Sequence, residues 1–182
     1  MTDTQWPTFE VFQQEREGQP HRNVGSVHAP DAEMALLNAR DVFVRRPNCR
    51  SLWVVPAAAI LSKTAAELEQ EPDPAPVSAS GEPELYCVFQ KQSQRPSDTF
   101  VTFVGIVQAA SPEQALQRAR QTYSAGQGWV WWVCPARAVT RTGPDDGDSM
   151  FAPALDKHYR HPYHYHTVAQ MRKIKAEQTR KS

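Results

Sequence analysis

Four of the six histidines fall in one short run, His158-Tyr159-Arg160-His161-Pro162-Tyr163-His164-Tyr165-His166. Imidazoles at that density can bind zinc or copper. Pro162 breaks any helix that would align them, and no carboxylate or cysteine stands at a spacing that completes a ligand set. The run reads instead as an extended aromatic and basic arm suited to docking on protein. A metal-handling module using His158, His161, His164 and His166 is the competing reading. Cys49, Cys87 and Cys134 are odd in number and contain no C-x-x-C pair, which argues against a disulfide framework and a thiolate metal site. Cys134, inside the apolar Trp132-Val133-Cys134 pattern, reads as a small buried hydrophobe rather than a nucleophile. No histidine has a glutamate three residues earlier, as a carboxylate-bridged di-iron site requires. There is no nucleophile elbow, phosphate-binding glycine loop or dinucleotide fingerprint. No catalytic set and no cofactor is therefore expected. A further alternative is an acyl-CoA-binding accessory domain, with Arg22, Arg40, Arg45 and Arg46 facing a CoA phosphate, although arginines on helix surfaces and ends are ordinarily solvated or paired.

The scaffold for these residues is written twice. Gly25-Ser26-Val27-His28-Ala29 with Glu33, Ala35, Leu36, Ala39 and Arg40 returns as Gly105-Ile106-Val107-Gln108-Ala109 with Glu113, Ala115, Leu116, Ala119 and Arg120. Upstream, Phe9-Glu10-Val11-Phe12 matches Tyr86-Cys87-Val88-Phe89, and downstream Trp53-Val54-Val55-Pro56-Ala57 matches Trp132-Val133-Cys134-Pro135-Ala136. The three offsets are 77, 80 and 79 residues, in the same order, so a whole folding unit is duplicated. Its polar residues have mostly drifted while its apolar stripe has not, which points to a scaffold.

Each copy reads as strand, strand, helix, strand. In the first, Thr8 to Gln13 and Arg22 to Ala29 have strand patterns, Asp31 caps a helix with Ala35, Leu36, Ala39 and Phe43 on one face, Pro47 stops it, and Ser51 to Val55 is the third strand. In the second, Leu85 to Gln90 and Phe100 to Ala109 are strands. Ser111-Pro112-Glu113-Gln114 is a capping-box start, Gly126 and Gly128 end the helix, and Trp129 to Cys134 is the last strand. Strand alternation puts Trp129 and Trp131 on one face and Trp132 on the other, giving one core side and one aromatic surface. The expected organisation is α+β: a first repeat over 1–61, a linker over 62–84, a second, diverged repeat over 85–140, and an aromatic and basic arm and tail over 141–182. Two units this small need each other, and they can pack sheets or pair edge strands to form a pseudo-dimer.

Twenty basic and twenty acidic residues leave no net charge to draw nucleic acid or an anionic membrane. Arg172, Lys173, Lys175, Arg180 and Lys181 gather in a tail read as a solvated, frayed terminus. The N-terminus lacks a signal pattern, and the longest apolar run, Leu52 to Leu61, is broken by Pro56 and too short to span a bilayer, so a cytoplasmic protein is expected.

The strings Trp6-Pro7, Phe9 to Phe12, His21-Arg22, Val24 to Ala29, Asp31, Met34-Ala35-Leu36, Asn38-Ala39-Arg40-Asp41, Arg45-Arg46 and Ser51 to Val55 resemble the phenylacetyl-CoA epoxidase B-subunit family. That family's closing motif is similar to Phe151-Ala152-Pro153 followed by Lys157-His158-Tyr159-Arg160-His161-Pro162-Tyr163. Here a linker and a second unit stand between the two parts, so the chain resembles a tandem form in which one polypeptide supplies both halves of a dimer. The resemblance implies a non-catalytic subunit of a multicomponent bacterial oxygenase whose di-iron chemistry lies on another subunit. Its implied partners are the catalytic and structural subunits of that complex and its reductase. On the same resemblance, partner contacts fall to His21, Arg22, Asn38, Arg40, Asp41, Arg45, Arg46, Tyr159, Arg160, His161, Pro162 and Tyr163.

Overall fold

A computed structural model describes residues 6–45, 49–70, 82–92, 100–123, 128–143, 147–156 and 167–180. The first copy folds as β1 (Thr8–Gln14), β2 (Arg22–His28), α1 (Ala32–Phe43) and β3 (Ser51–Pro56). A 3₁₀ turn, Ala57–Ala59, leads to β4 (Leu61–Thr64) and a short helix α2 (Ala65–Gln70). The second copy repeats the order as β5 (Glu84–Lys91), β6 (Thr102–Ala109), α3 (Pro112–Thr122) and β7 (Val130–Pro135). Another 3₁₀ turn, Ala136–Ala138, leads to β8 (Thr140–Arg141). The chain continues through α4 (Gly147–Phe151), the 3₁₀ segment Ala152–Asp156 and α5 (Thr167–Arg180).

The helix starts are local chemistry. Asp31 accepts the N–H of Met34 at 2.8 Å through its carboxylate, and Ser111 accepts that of Gln114 at 3.2 Å. The Gln114 side chain reaches back to accept the N–H of Ala110. Each cap satisfies donors that the first helical turn leaves without partners. The repeated glycines also have a local cause. Both copies carry a register shift in the hairpin, between Val11 and Phe12 and between Val88 and Phe89, and Gly25 and Gly105 sit opposite Val11 and Val88. Gly25 takes a φ of 132° under the Phe43 ring, and Gly105 lies under Tyr123, the aromatic at the same repeat position.

All eight strands join one antiparallel sheet in the order β4-β7-β5-β6-β2-β1-β3-β8. The copies meet at β2 and β6 through the Arg22–Thr102 pair, flanked by Asn23 N–H to Val101 O and Phe103 N–H to His21 O. Arg22 and Thr102 are counterparts in the repeat, so equivalent positions face each other as they would across a two-fold axis. Two arginines there would place like charges in direct opposition, a cost that threonine in the second copy removes.

The sheet cannot be flat. β3 and β4 lie six places apart in it, roughly 29 Å at the usual strand spacing, yet only residues 57–60 connect them. Four connecting residues reach about 19 Å at most. The β7 to β8 connection, residues 136–139, imposes the same limit. The sheet therefore curls until its ends approach. Phe12 of β1 and Phe89 of β5 accordingly stack with ring centroids 4.2 Å apart across the concave face, although two strands separate theirs.

Three apolar clusters follow from this shape. α1 covers the outer face of the first copy through Ala35, Leu36 and Ala39, packed with Phe9, Val11 and Val54. α3 does the same in the second through Ala115, Leu116 and Ala119, packed with Tyr86, Val88 and Trp131. The concave interior is shared: Phe12, Val55, Cys87, Phe89, Val101, Cys134 and Val139, with Trp53, Phe103 and Trp132 against them. Trp131 and Trp132 thus pack on opposite faces that are both core, and the expected aromatic surface does not form. Curling turns what would be an open face inward.

Two expectations about connecting chain are corrected. The stretch read as linker from residue 62 opens with β4 and α2, because β4 pairs with β7 from Leu61–Val133 to Thr64–Val130. The part of it over 71–81 lies outside the described residues. The stretch read as an extended arm from residue 141 begins with β8, and its Phe151 and Ala154 are buried in the first copy's core. The basic tail is helical over Thr167–Arg180, a segment free of glycine and proline and rich in strong helix formers.

Candidate functional site

Polar groups gather at one end of the concave interior around Trp53. The His21 ring stacks on it at 3.7 Å with 19° between planes, Phe103 meets it edge-on at 5.1 Å, and the Arg141 guanidinium lies 4.5 Å from the ring centre. Three elements supply the polar groups and the ring between them: the turn into β2, the middle of β3, and the two-residue β8, where Arg141 pairs with Trp53 in register. Arg141 also reaches Cys87, its Nη2 lying 3.8 Å from Sγ. The matching positions in the second copy are Val101, Trp132 and Ser62, with Ser62 paired to Trp132. Among the described residues, the histidine and arginine of the pseudo-symmetric interior fall at one end.

His21 is buried, and its Nε2 has no hydrogen-bond partner among the described residues. Burial, reinforced by the charge of Arg141, lowers its pKa from 6.5 to about 4. A neutral imidazole beside a fixed cation is poorly placed to accept a proton or hold a metal. Nearby, Asn23 donates to Glu10 Oε2 at 2.9 Å and to the Val11 carbonyl at 3.3 Å, closing off that carboxylate. Among the described residues no group of three histidine, cysteine or acidic side chains is placed to share a metal.

The pKa of His21 makes a prediction with a definite sign. Above pH 6.5 the histidine is neutral whether folded or unfolded; as pH falls toward 4 the unfolded chain takes up a proton that the folded one refuses. Stability is therefore expected to decline over that window, by roughly 3 kcal/mol at its limit for a shift of this size. Urea unfolding at a series of pH values measures it. His21→Phe, which keeps a ring on Trp53, flattens this part of the profile; an unchanged slope in the variant refutes the assignment.

The residues expected to meet partners are scattered by the fold. His21 is inside the seam rather than on a surface. Arg22 is exposed, lies 5.4 Å from the Phe100 ring centre, and borders a groove of about 350 Å³ with Gln13, Glu15, Gln19 and Thr102. Asn38 donates to the His28 carbonyl at 3.1 Å; its counterpart Arg118 donates to the matching Gln108 carbonyl, so both tie a helix to its hairpin. Arg40 pairs with the exposed Asp41 at 2.9 Å, and Arg45 turns back to the Val42 carbonyl. Arg46, Tyr159, Arg160, His161, Pro162 and Tyr163 lie outside the described residues, as does the whole histidine run. Sequence reasoning passed over Trp53 as a meeting point and missed Arg141 altogether. A two-residue strand has no periodicity to read, and only the repeat offset aligning Arg141 with Ser62 hinted at a structural place for it.

Comparison with known proteins gives these features a lineage. The family model described as phenylacetic acid degradation B matches in two stretches, residues 5–79 and 82–172, which together span nearly the whole chain. Over 88 residues the chain is 41% identical to the B subunit of 1,2-phenylacetyl-CoA epoxidase from Escherichia coli (strain K12), covering 48% of this chain and 93% of that relative. No solved structure matches the chain. With both a near-complete family match and a relative aligned over almost its full length, this chain belongs to the phenylacetic acid degradation B (PaaB) family.

Proposed function

We propose that this chain is a non-catalytic, bridging component of a multicomponent di-iron oxygenase that epoxidises the ring of phenylacetyl-CoA in aerobic phenylacetate breakdown. The pathway assignment draws on the family and on the name of the Escherichia coli relative. The observation that supports a scaffold role is the filled interior. The concave face, where a curled sheet of this kind has room for a small molecule, is occupied by the Phe12–Phe89 stack and closed around by Trp53, Phe103 and Trp132. What remains among the described residues is outer surface: the α1 side with Met34, Leu37 and Val42 exposed, the groove beside Arg22, and α5 with Met171 and Ile174 exposed. Its partners in this reading are the catalytic and structural subunits of the oxygenase and its reductase, and the tandem copies stand in for a homodimer.

Co-purification with the catalytic subunits tests it. A truncation at residue 150 would strip Phe151 and Ala154 from the first copy's core, so the informative deletion is 157–182. That variant is expected to melt like the full chain and to bind the catalytic subunits roughly tenfold or more weakly, the loss typical of one hot-spot segment. Full-strength binding removes the arm from the interface, and failure of the intact chain to bind any of the oxygenase subunits removes the whole reading.

A further inference from the structure

Cys87 and Cys134 have no part in the proposed assembly role, yet they form a pair. They stand directly opposite each other on antiparallel β5 and β7, both are fully buried, and both point into the concave interior. Ala65 N–H bonds to the Trp129 carbonyl, so alternate β7 residues turn toward β4 and Cys134 turns toward β5, making Cys87 and Cys134 a hydrogen-bonded pair. The Cβ atoms of such a pair lie toward the wide end of about 4.5–5.5 Å, so a disulfide requires the two strands to draw together by roughly 1 Å. Arg141 is an exposed residue whose guanidinium touches the Cys87 sulfur at 3.8 Å, so that sulfur is one side chain removed from solvent. The first copy has Glu10 opposite Val55 at these positions, so the dithiol belongs to the second copy alone.

We propose that Cys87 and Cys134 are a redox-active dithiol that hydrogen peroxide closes to a disulfide between β5 and β7. The Cys87 thiolate attacks one peroxide oxygen, the O–O bond breaks, and the departing hydroxide takes a proton to leave as water, giving a Cys87 sulfenic acid. The Cys134 sulfur then attacks the Cys87 sulfur, the S–S bond forms, and the S–OH bond breaks to release a second water with the Cys134 proton. Two thiols lose two electrons and one peroxide gains them. The order of roles follows from the surroundings. The neighbouring Cys134 side chain and the Arg141 charge outweigh desolvation and bring Cys87 down to about 7, whereas the Cys87 side chain and burial push Cys134 upward. Cys49, whose thiol burial raises to about 12, is the internal control.

The test uses the reduced full-length chain treated with hydrogen peroxide, quenched, unfolded in N-ethylmaleimide and read by intact and peptide mass. The expected product has lost two hydrogens, carries one maleimide, on Cys49, instead of three, contains a Cys87–Cys134 linked peptide, and reverts with dithiothreitol. Three maleimides after peroxide, or a link that includes Cys49, overturns the proposal. Cys134→Ala is expected to leave Cys87 as a sulfenic acid trapped by dimedone, and Cys87→Ala to leave Cys134 unlabelled. Equal labelling of the two variants overturns the assignment of roles, and because the wild-type mapping stands by itself, a variant that fails to fold does not shield the proposal.

Discussion

Phe12→Ala and Phe89→Ala are each expected to destabilise the chain by about 3–5 kcal/mol, the usual cost of deleting a phenylalanine from a closed core. Both rings are fully buried, stacked at 4.2 Å with 26° between planes, and each has a second aromatic contact: Phe12 with Trp132 at 6.3 Å, Phe89 with Phe103 at 5.6 Å. For a chain of this size the melting temperature should fall by roughly 2–4 °C per kcal/mol. Because the rings come from different copies, they also report whether the copies fold as one. The double variant should recover about 0.5–1.5 kcal/mol of coupling relative to the sum of the singles, and unfolding should stay a single transition. Additive effects with two separated transitions would mean that the sheet does not curl as described.

Gly25→Ala should cost roughly 2–6 kcal/mol without touching any polar group, because backbone strain and overpacking add there. A β-carbon would lie 2.9 Å from Phe43 Cζ, and the backbone φ of 132° is one that side-chain-bearing residues rarely adopt. Strain of that kind costs about 1–3 kcal/mol, and overpacking a further 1–3. Phe43→Leu in the same chain relieves the contact and leaves the backbone, so partial recovery by chemical unfolding separates the two costs. Full recovery would show that the conformation itself is unstrained. At Gly105 the conflict is with Tyr123, whose hydroxyl donates to the Ile106 carbonyl at 3.2 Å and would have to give up that bond.

These glycines mark how much of the molecule could be read in advance. Gly25 and Gly105 were visible as repeated letters, and the reason for the repetition, a bulge beneath the last aromatic of each helix, is a contact between residues close in the chain. The same holds for Asp31 and Ser111 as caps, for the Ala-Leu-Ala stripes, and for six of the eight strands. Their signals are periodicities and caps a few residues long. β4 and β8 went unread because Leu61–Thr64 and Thr140–Arg141 are too short to show alternation and exist only by pairing with the other copy. Helix α1 stops at Phe43, short of the Pro47 that marks its limit in sequence, since Val44 turns away and is buried in the core.

The candidate site divides in the same way. Arg22 and Asn38 were singled out for the company they keep in sequence, but the seam decided that His21 goes inward onto Trp53 while Arg22 remains at the surface beside Phe100. Nothing in the residues around Trp53 predicts Arg141, and nothing near Cys87 predicts Cys134, because these pairs are made by strand register across long stretches of chain.

The sequence by itself determined that a strand-strand-helix-strand unit is present twice, where its helices begin, which glycines recur in it and which family it resembles. Those properties are set by neighbours along the chain. The tertiary structure alone decided that eight strands make one curled sheet, that its aromatic faces turn inward, and that histidine, tryptophan, arginine and two thiols share one end of the interior. The physical reason is the length of two connections: four residues between β3 and β4, and four between β7 and β8, are too few to cross a flat sheet.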